Sequence, residues 1–118
     1  MESNVLLTAI QATKLSEEVN EQTEVSFEVD ATLTEVKRST DKMVIKFSIS
    51  LEPQPSVARL SVSGLATVQG DAEEIDALIE TPEGRPPRMF MLIYHKIYPT
   101  LYLLCCSLNI PSPGPKLL

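Results

Sequence analysis

Strict alternation of apolar and polar residues is the feature that most restricts how this chain can fold. Apolar side chains occupy every second position over residues 25–33 and again over 43–51, where Val44 alone breaks the polar phase. A period of two puts alternate side chains on opposite faces of a strand, so both segments are predicted to be strands with one buried face. The Ser39-Thr40-Asp41 sequence between them has turn chemistry and predicts a hairpin.

Two further segments complete a predicted sheet of four long strands. Residues 58–68 alternate cleanly, with Gly64 in the apolar phase, where a glycine indicates a bulge or the close approach of a neighbouring element. Residues 5–15 alternate less cleanly, because two sets of apolar residues compete for the buried face, and this segment is predicted to be an edge strand of undecided facing. Long strands with Ser/Thr-rich outer faces favour an antiparallel sheet that is covered on one side.

The cover is predicted to come from two helices. Asp71 is a candidate N-cap and Glu74 has capping-box spacing, which predicts a short helix with Ile75, Leu78 and Ile79 buried. The segment 81–87 breaks this helix, and its last residue, Pro87, suits the first turn of a second one.

The apolar run 89–110 reads as that second helix, with Pro99 inside it as a kink or a junction of two collinear helices. At 100° per residue, one apolar stripe suffices to cover the sheet. Its members are Phe90, Ile93, Ile97, Leu101, Leu104 and Leu108. A second stripe, separated from the first by polar residues, is left over. It comprises Leu92, Pro99, Leu103, Cys106 and Ile110.

Three destinations are open for the second stripe: a membrane, a copy of the chain, or another protein's hydrophobic segment. The run is long enough to span a bilayer, but Lys96 and Pro99 lie within it, and without it the sheet would lack its cover. A membrane is therefore disfavoured. Self-association and binding of unfolded polypeptide both remain open. The candidate surface for either role is Leu92, Tyr98, Tyr102, Leu103, Cys106 and Ile110.

Composition argues against nucleic acid, catalysis and cofactors. The net charge is −6 and the ten Lys and Arg residues are scattered, whereas phosphate binding needs clustered basic residues. His95 is the lone histidine, the two cysteines are adjacent, and four glycines make no phosphate-binding motif. We therefore predict neither enzyme activity nor a metal or cofactor. We interpret Cys105 and Cys106 as buried thiols in a reducing compartment, and the N-terminus is unlike a signal peptide. Both interpretations predict a cytoplasmic protein.

The order of long antiparallel strands, short acidic helix and apolar helix resembles the SecB-like family of export chaperones. The local match runs from the aromatic-x-x-Ile sequence at 94–97, through Pro99 and Leu101, to Leu-Asn-Ile-Pro at 108–111. The resemblance implies a four-stranded antiparallel sheet with helices packed on one side. It also implies a homodimer or dimer of dimers, and hydrophobic grooves that hold unfolded polypeptide.

The sequence thus predicts one α+β domain over residues 1–118. Its sheet spans 1–70, its helical layer 71–110 and an extended tail 111–118. The leading functional hypothesis is a SecB-like holdase without enzyme activity. The alternative is a structural or assembly module in which the second stripe is a homo-oligomer interface.

Overall fold

The computed structural model describes residues 2–15, 26–54, 58–80 and 87–110, and over these ranges the chain forms four strands followed by two helices. The elements are β1 (Glu2–Lys14), β2 (Ser26–Arg38), β3 (Lys42–Gln54), β4 (Ala58–Gln69), α1 (Ala72–Ile79) and α2 (Arg88–Leu108). This order confirms the predicted α+β fold. The predicted tail at 111–118 lies outside the described residues.

The sheet is antiparallel with the strand order β1-β4-β3-β2. The predicted hairpin joins β2 to β3, and at its turn the Ser39 N–H donates to the Lys42 carbonyl over 2.8 Å while the Ser39 hydroxyl donates to Asp41 Oδ1 over 3.1 Å. β1 pairs with β4 and not with its sequence neighbour β2. It is therefore an edge strand, as the sequence predicts.

Alternation assigns one face of the sheet, here called the inner face, to the core. On the two central strands, β3 and β4, the apolar phase is buried against both helices. The opposite or outer face carries the polar phase, including Ser48 and Ser63, whose hydroxyls are hydrogen-bonded over 3.2 Å. The strand residues of the core are Met43, Ile45, Phe47, Ile49, Leu51, Ala58, Leu60, Val62, Ala66 and Val68.

A bulge in β1 resolves its ambiguous facing. The register with β4 shifts between Leu7 and Ala9, which leaves Thr8 as an extra residue. Before the bulge Leu7 pairs with inner-face Gly64, and after it Ile10 pairs with inner-face Val62. Val5 and Leu7 therefore face inward before the bulge, and Ile10 and Ala12 face inward after it.

Gly64 marks the close approach that its position in the apolar phase predicts. A Cβ at this position would overlap the carbonyl oxygen of Leu6 and crowd the Cα of Leu7. Both clashing groups belong to the backbone of β1, so rotation of a side chain cannot relieve the overlap. Glycine is required here because the β1 backbone beside the bulge lies too close to β4 for a Cβ.

α1 begins after Asp71, the predicted N-cap, whose N–H donates to Glu74 Oε1 over 3.4 Å. The helix lies against β3 and α2, and an Arg38–Asp76 ion pair ties it to β2. Ile75 and Leu78 are buried, but the prediction for Ile79 is wrong, since its side chain is 44% exposed. Ile79 is the last helical residue and has turned past the edge of the buried face.

α2 is one helix that continues through Pro99. It begins at Arg88, so Pro87, predicted for the first turn, is instead the N-cap. The first stripe is confirmed: four members are buried, while Leu104 and Leu108 are partly buried against the core. The buried face is also wider than predicted, because it takes in Met89, Tyr94 and Cys105. Its buried residues are Met89, Phe90, Ile93, Tyr94, Ile97, Leu101 and Cys105.

Candidate binding surface on helix α2

The side of α2 that points away from the core carries apolar residues beside the exposed His95 and Lys96. Leu103 is 65% exposed and Tyr102 is 48% exposed, and the Cys106 thiol lies exposed one turn beyond them. Leu92 and Tyr98 are partly buried at the border of the core. These five residues, Leu92, Tyr98, Tyr102, Leu103 and Cys106, are called the α2 strip below.

Ile110, the sixth residue predicted for this surface, belongs to the core. Its side chain is 6% exposed, so the prediction is wrong for this position. The helix stops at Leu108 because Asn109 takes the left-handed conformation, with φ 56° and ψ 47°. The Ile110 N–H then donates to the Cys105 carbonyl over 3.0 Å, and Asn109 N–H to that of Cys106 over 3.1 Å, as in a Schellman motif. This reversal returns Ile110 to the buried side.

Four aromatic rings, spaced four residues apart, connect the core to the α2 strip. Phe90 stacks with Tyr94 at a centroid distance of 6.2 Å, Tyr94 meets Tyr98 at 5.9 Å, and Tyr98 meets Tyr102 at 6.5 Å. Each step of four residues advances the side chain about 40° around the helix, so the rings pass gradually from buried to exposed. The exposed Tyr102 is therefore held by a ladder that is anchored in the core.

The two adjacent thiols occupy opposite environments. Cys105 is fully buried, and burial, followed by the influence of Cys106, raises the pKa of its thiol to about 11. Cys106 is exposed, and hydrogen bonding to it is the main cause that raises the pKa of Tyr102. Burial also raises the pKa of Tyr94 to about 12. The prediction of two buried cysteines is thus correct for Cys105 and wrong for Cys106.

This contrast predicts selective alkylation. Iodoacetamide at neutral pH should modify Cys106 in the folded protein and reach Cys105 after unfolding, because the thiolate is the reactive form and Cys105 is both shielded and protonated. Intact mass should show one added group under native conditions, and a Cys106→Ser variant should show none. Two added groups on the folded protein would contradict the orientation of α2 described above.

A second open apolar surface, which sequence reasoning did not single out, lies at the β2 edge. Phe27, Val29 and Leu33 face inward but are only partly buried, and Ala31 between them is exposed. On β3, the equivalent inner-face positions are buried. The alternation of β2 predicts that these side chains face the core. Their position at an edge of the sheet follows from the strand order, which is non-local and is not encoded by alternation.

α2 is also long and apolar enough to cross a bilayer, with a mean hydropathy of 1.2 over its best window. Core helices of soluble proteins can have the same length and hydropathy, so these two properties do not distinguish a membrane span from a core helix. Here Ile93, Ile97 and Leu101 pack in the core, where they cover the sheet. The helix therefore does not demonstrate a membrane location.

Comparison with known proteins identifies the fold. No protein-family model matches the sequence, and no curated protein matches it. Among solved structures, the SecB-like chaperone of Mycobacterium tuberculosis, in complex with a ChAD peptide from the HigA1 antitoxin, superimposes with a TM-score of 0.65. The match covers 98% of this chain and 89% of that one at 15% identity. At this identity the likeness establishes the fold, and it confirms the SecB-like architecture expected from the sequence.

Proposed function

We propose that this chain is a SecB-like, non-enzymatic binding protein that holds unfolded or export-bound polypeptide in the cytoplasm. The α2 strip is the surface proposed to contact the bound chain. The proposal rests on one observation: α2 has two apolar faces. One packs in the core, and the other, centred on Tyr102 and Leu103, is exposed. Contiguous exposed apolar surface is characteristic of interaction sites.

The chemistry of the α2 strip suits an extended, variable partner. Tyr98 and Tyr102 offer flat apolar rings with a polar end, which can contact many side chains without a fixed pattern. The partly open inner face at Phe27 and Val29 offers further apolar contacts. The structural neighbour is a chaperone bound to a peptide, which is consistent with a polypeptide partner.

Suppression of aggregation tests the proposal directly. Light scattering of a thermally unfolding client such as citrate synthase should fall when this protein is added in stoichiometric amounts. A Leu103→Asp variant should bind the client about tenfold more weakly, because it places a charge where an apolar side chain would be desolvated. No suppression by the folded wild-type protein, even in excess, would disprove the holdase role.

Ile79→Asp provides the matched control. It also replaces an exposed apolar helical residue by aspartate, but on α1 and away from the α2 strip. Suppression should survive this change. Equal loss in both variants would show that the effect comes from added negative charge and not from the α2 strip.

A symmetric oligomer is the second candidate, because the same exposed face would suit a second copy of the chain. Sedimentation velocity of wild type and Leu103→Asp separates the two roles. If the variant is a folded monomer and the wild type is an oligomer without client binding, the α2 strip is a subunit interface. If the oligomer persists while client binding is lost, the α2 strip is a client site.

A further inference from the structure

The outer face of the sheet departs from its polar pattern near the β2–β3 hairpin. Leu6 of β1 pairs with Leu65 of β4, and both lie on the outer face. Leu65 in turn pairs with Lys46 of β3, two residues from Val44 on the same face. Leu6 is 60% exposed, since the helices cover the opposite face. Apolar side chains here add nothing to the core, so their presence needs another explanation.

Lysines of β2 and β3 flank these apolar residues on one side. Lys42 and Lys46 share the outer face of β3 with Val44, and Lys37 of β2 pairs with Val44 across the hairpin. All three lysine side chains are exposed. We call this surface the Lys–Leu patch. It consists of Lys37, Lys42, Lys46, Val44, Leu6 and Leu65.

The other end of the outer face has the opposite charge. It is concave and is lined in part by Glu28, Asp30 and Glu52, with Arg59 at 3.8 Å from Glu52. At about 3.4 Å per residue, Lys46 and Glu52 are roughly 20 Å apart along β3. This exceeds the Debye length of about 8 Å at physiological salt, so the two ends act as separate surfaces.

The Lys–Leu patch is not uniformly basic, since Glu2 of β1 lies across Gln69 from Lys42. Glu2 is two strands away from Lys42, which is about 9–10 Å. Lys46, by contrast, lies directly beside Leu65, and Leu6 lies on the next strand beyond Leu65. The centre of the patch therefore combines a cation with an apolar surface within about 10 Å, despite a net charge of −6 for the whole chain.

We propose that the Lys–Leu patch binds an extended protein segment in which acidic and apolar residues are interleaved. Apolar side chains of the partner would cover Leu6 and Leu65, and its carboxylates would face the lysines. Nucleic acid fits less well, because its phosphates would leave the leucines uncovered. The surface is separate from the α2 strip, which lies on the other side of the sheet, so it adds a second binding site to the proposed function.

Fluorescence anisotropy with two labelled synthetic peptides tests this at low salt. A peptide of repeated Glu-Leu-Ser units should bind, and one of repeated Gln-Leu-Ser units should bind much more weakly, because it lacks the carboxylates that face the lysines. Lys46→Glu should weaken binding of the acidic peptide about tenfold, since an attraction becomes a repulsion. Leu6→Ser should weaken it by about fivefold through loss of apolar contact.

Lys96→Glu on α2 is the matched control, because it makes the same change in net charge at an exposed lysine in the other layer. It should leave the affinity within about twofold of wild type. Failure of the acidic peptide to bind, equal binding of both peptides, or equal loss in Lys96→Glu and Lys46→Glu would overturn the proposal. So would loss in Leu103→Asp with normal binding in Lys46→Glu, which would place the peptide on the α2 strip. Circular dichroism establishes that each variant is folded.

Discussion

Replacing Gly64 with alanine is expected to lower the free energy of unfolding by about 3 kcal/mol. The added methyl group would overlap the Leu6 carbonyl oxygen, and both positions are fixed by the pairing of β1 with β4. Relief requires β1 to move away from β4, which breaks ladder hydrogen bonds and opens the inner face. Urea denaturation followed by circular dichroism measures the difference as a shift in midpoint.

Ser61→Ala is the control for this substitution, because Ser61 lies on the outer face of the same strand. It should change the free energy of unfolding by no more than about 0.5 kcal/mol. If Gly64→Ala has the same urea midpoint as the wild-type protein, the backbone of β1 does not lie this close to β4.

Leu101→Ala is expected to lower the free energy of unfolding by about 3 kcal/mol. Leu101 is fully buried, so its truncation leaves a cavity between α2 and the sheet. Leu103→Ala, two residues along the same helix, should cost no more than about 0.5 kcal/mol, since its side chain is 65% exposed. Both variants make the same Leu→Ala change in helix propensity, so the difference between them isolates burial.

Chemical denaturation of the two variants provides the measurement. Equal destabilisation would indicate that Leu103 is buried in solution, which would favour the oligomer over the client surface. Repeating the titration at several protein concentrations checks this, because the stability of an obligate oligomer depends on concentration.

The sequence predicts the central sheet well because alternation is a local property that the core enforces. β3 and β4 bury every second residue, and their alternation follows directly from that requirement. β1 could not be assigned a facing, because the single extra residue Thr8 reverses the phase halfway along. Which strand lies beside β1 is set by non-local pairing, which a pattern of period two does not encode.

The candidate surface was predictable to the extent that the helix is regular. Projection at 100° per residue correctly leaves Tyr102, Leu103 and Cys106 outside the core. It fails at Ile110, because the left-handed Asn109 ends the helical geometry on which the projection depends. It also leaves out Tyr94 and Cys105, since α2 is covered over a wider arc than one stripe.

The strand order has a consequence for how the chain folds as it is synthesised. β2, β3 and β4 are neighbours in both sequence and space, so they can pair as soon as they emerge. β1 emerges first, yet its partner arrives much later, since Thr8 and Ser63 are 55 residues apart in the chain and hydrogen-bonded in the fold. Closing that loop is entropically slow. The nascent β1 therefore exposes Val5 and Leu7, which the finished fold packs against the core, throughout this interval, when a ribosome-bound chain is most open to aggregation.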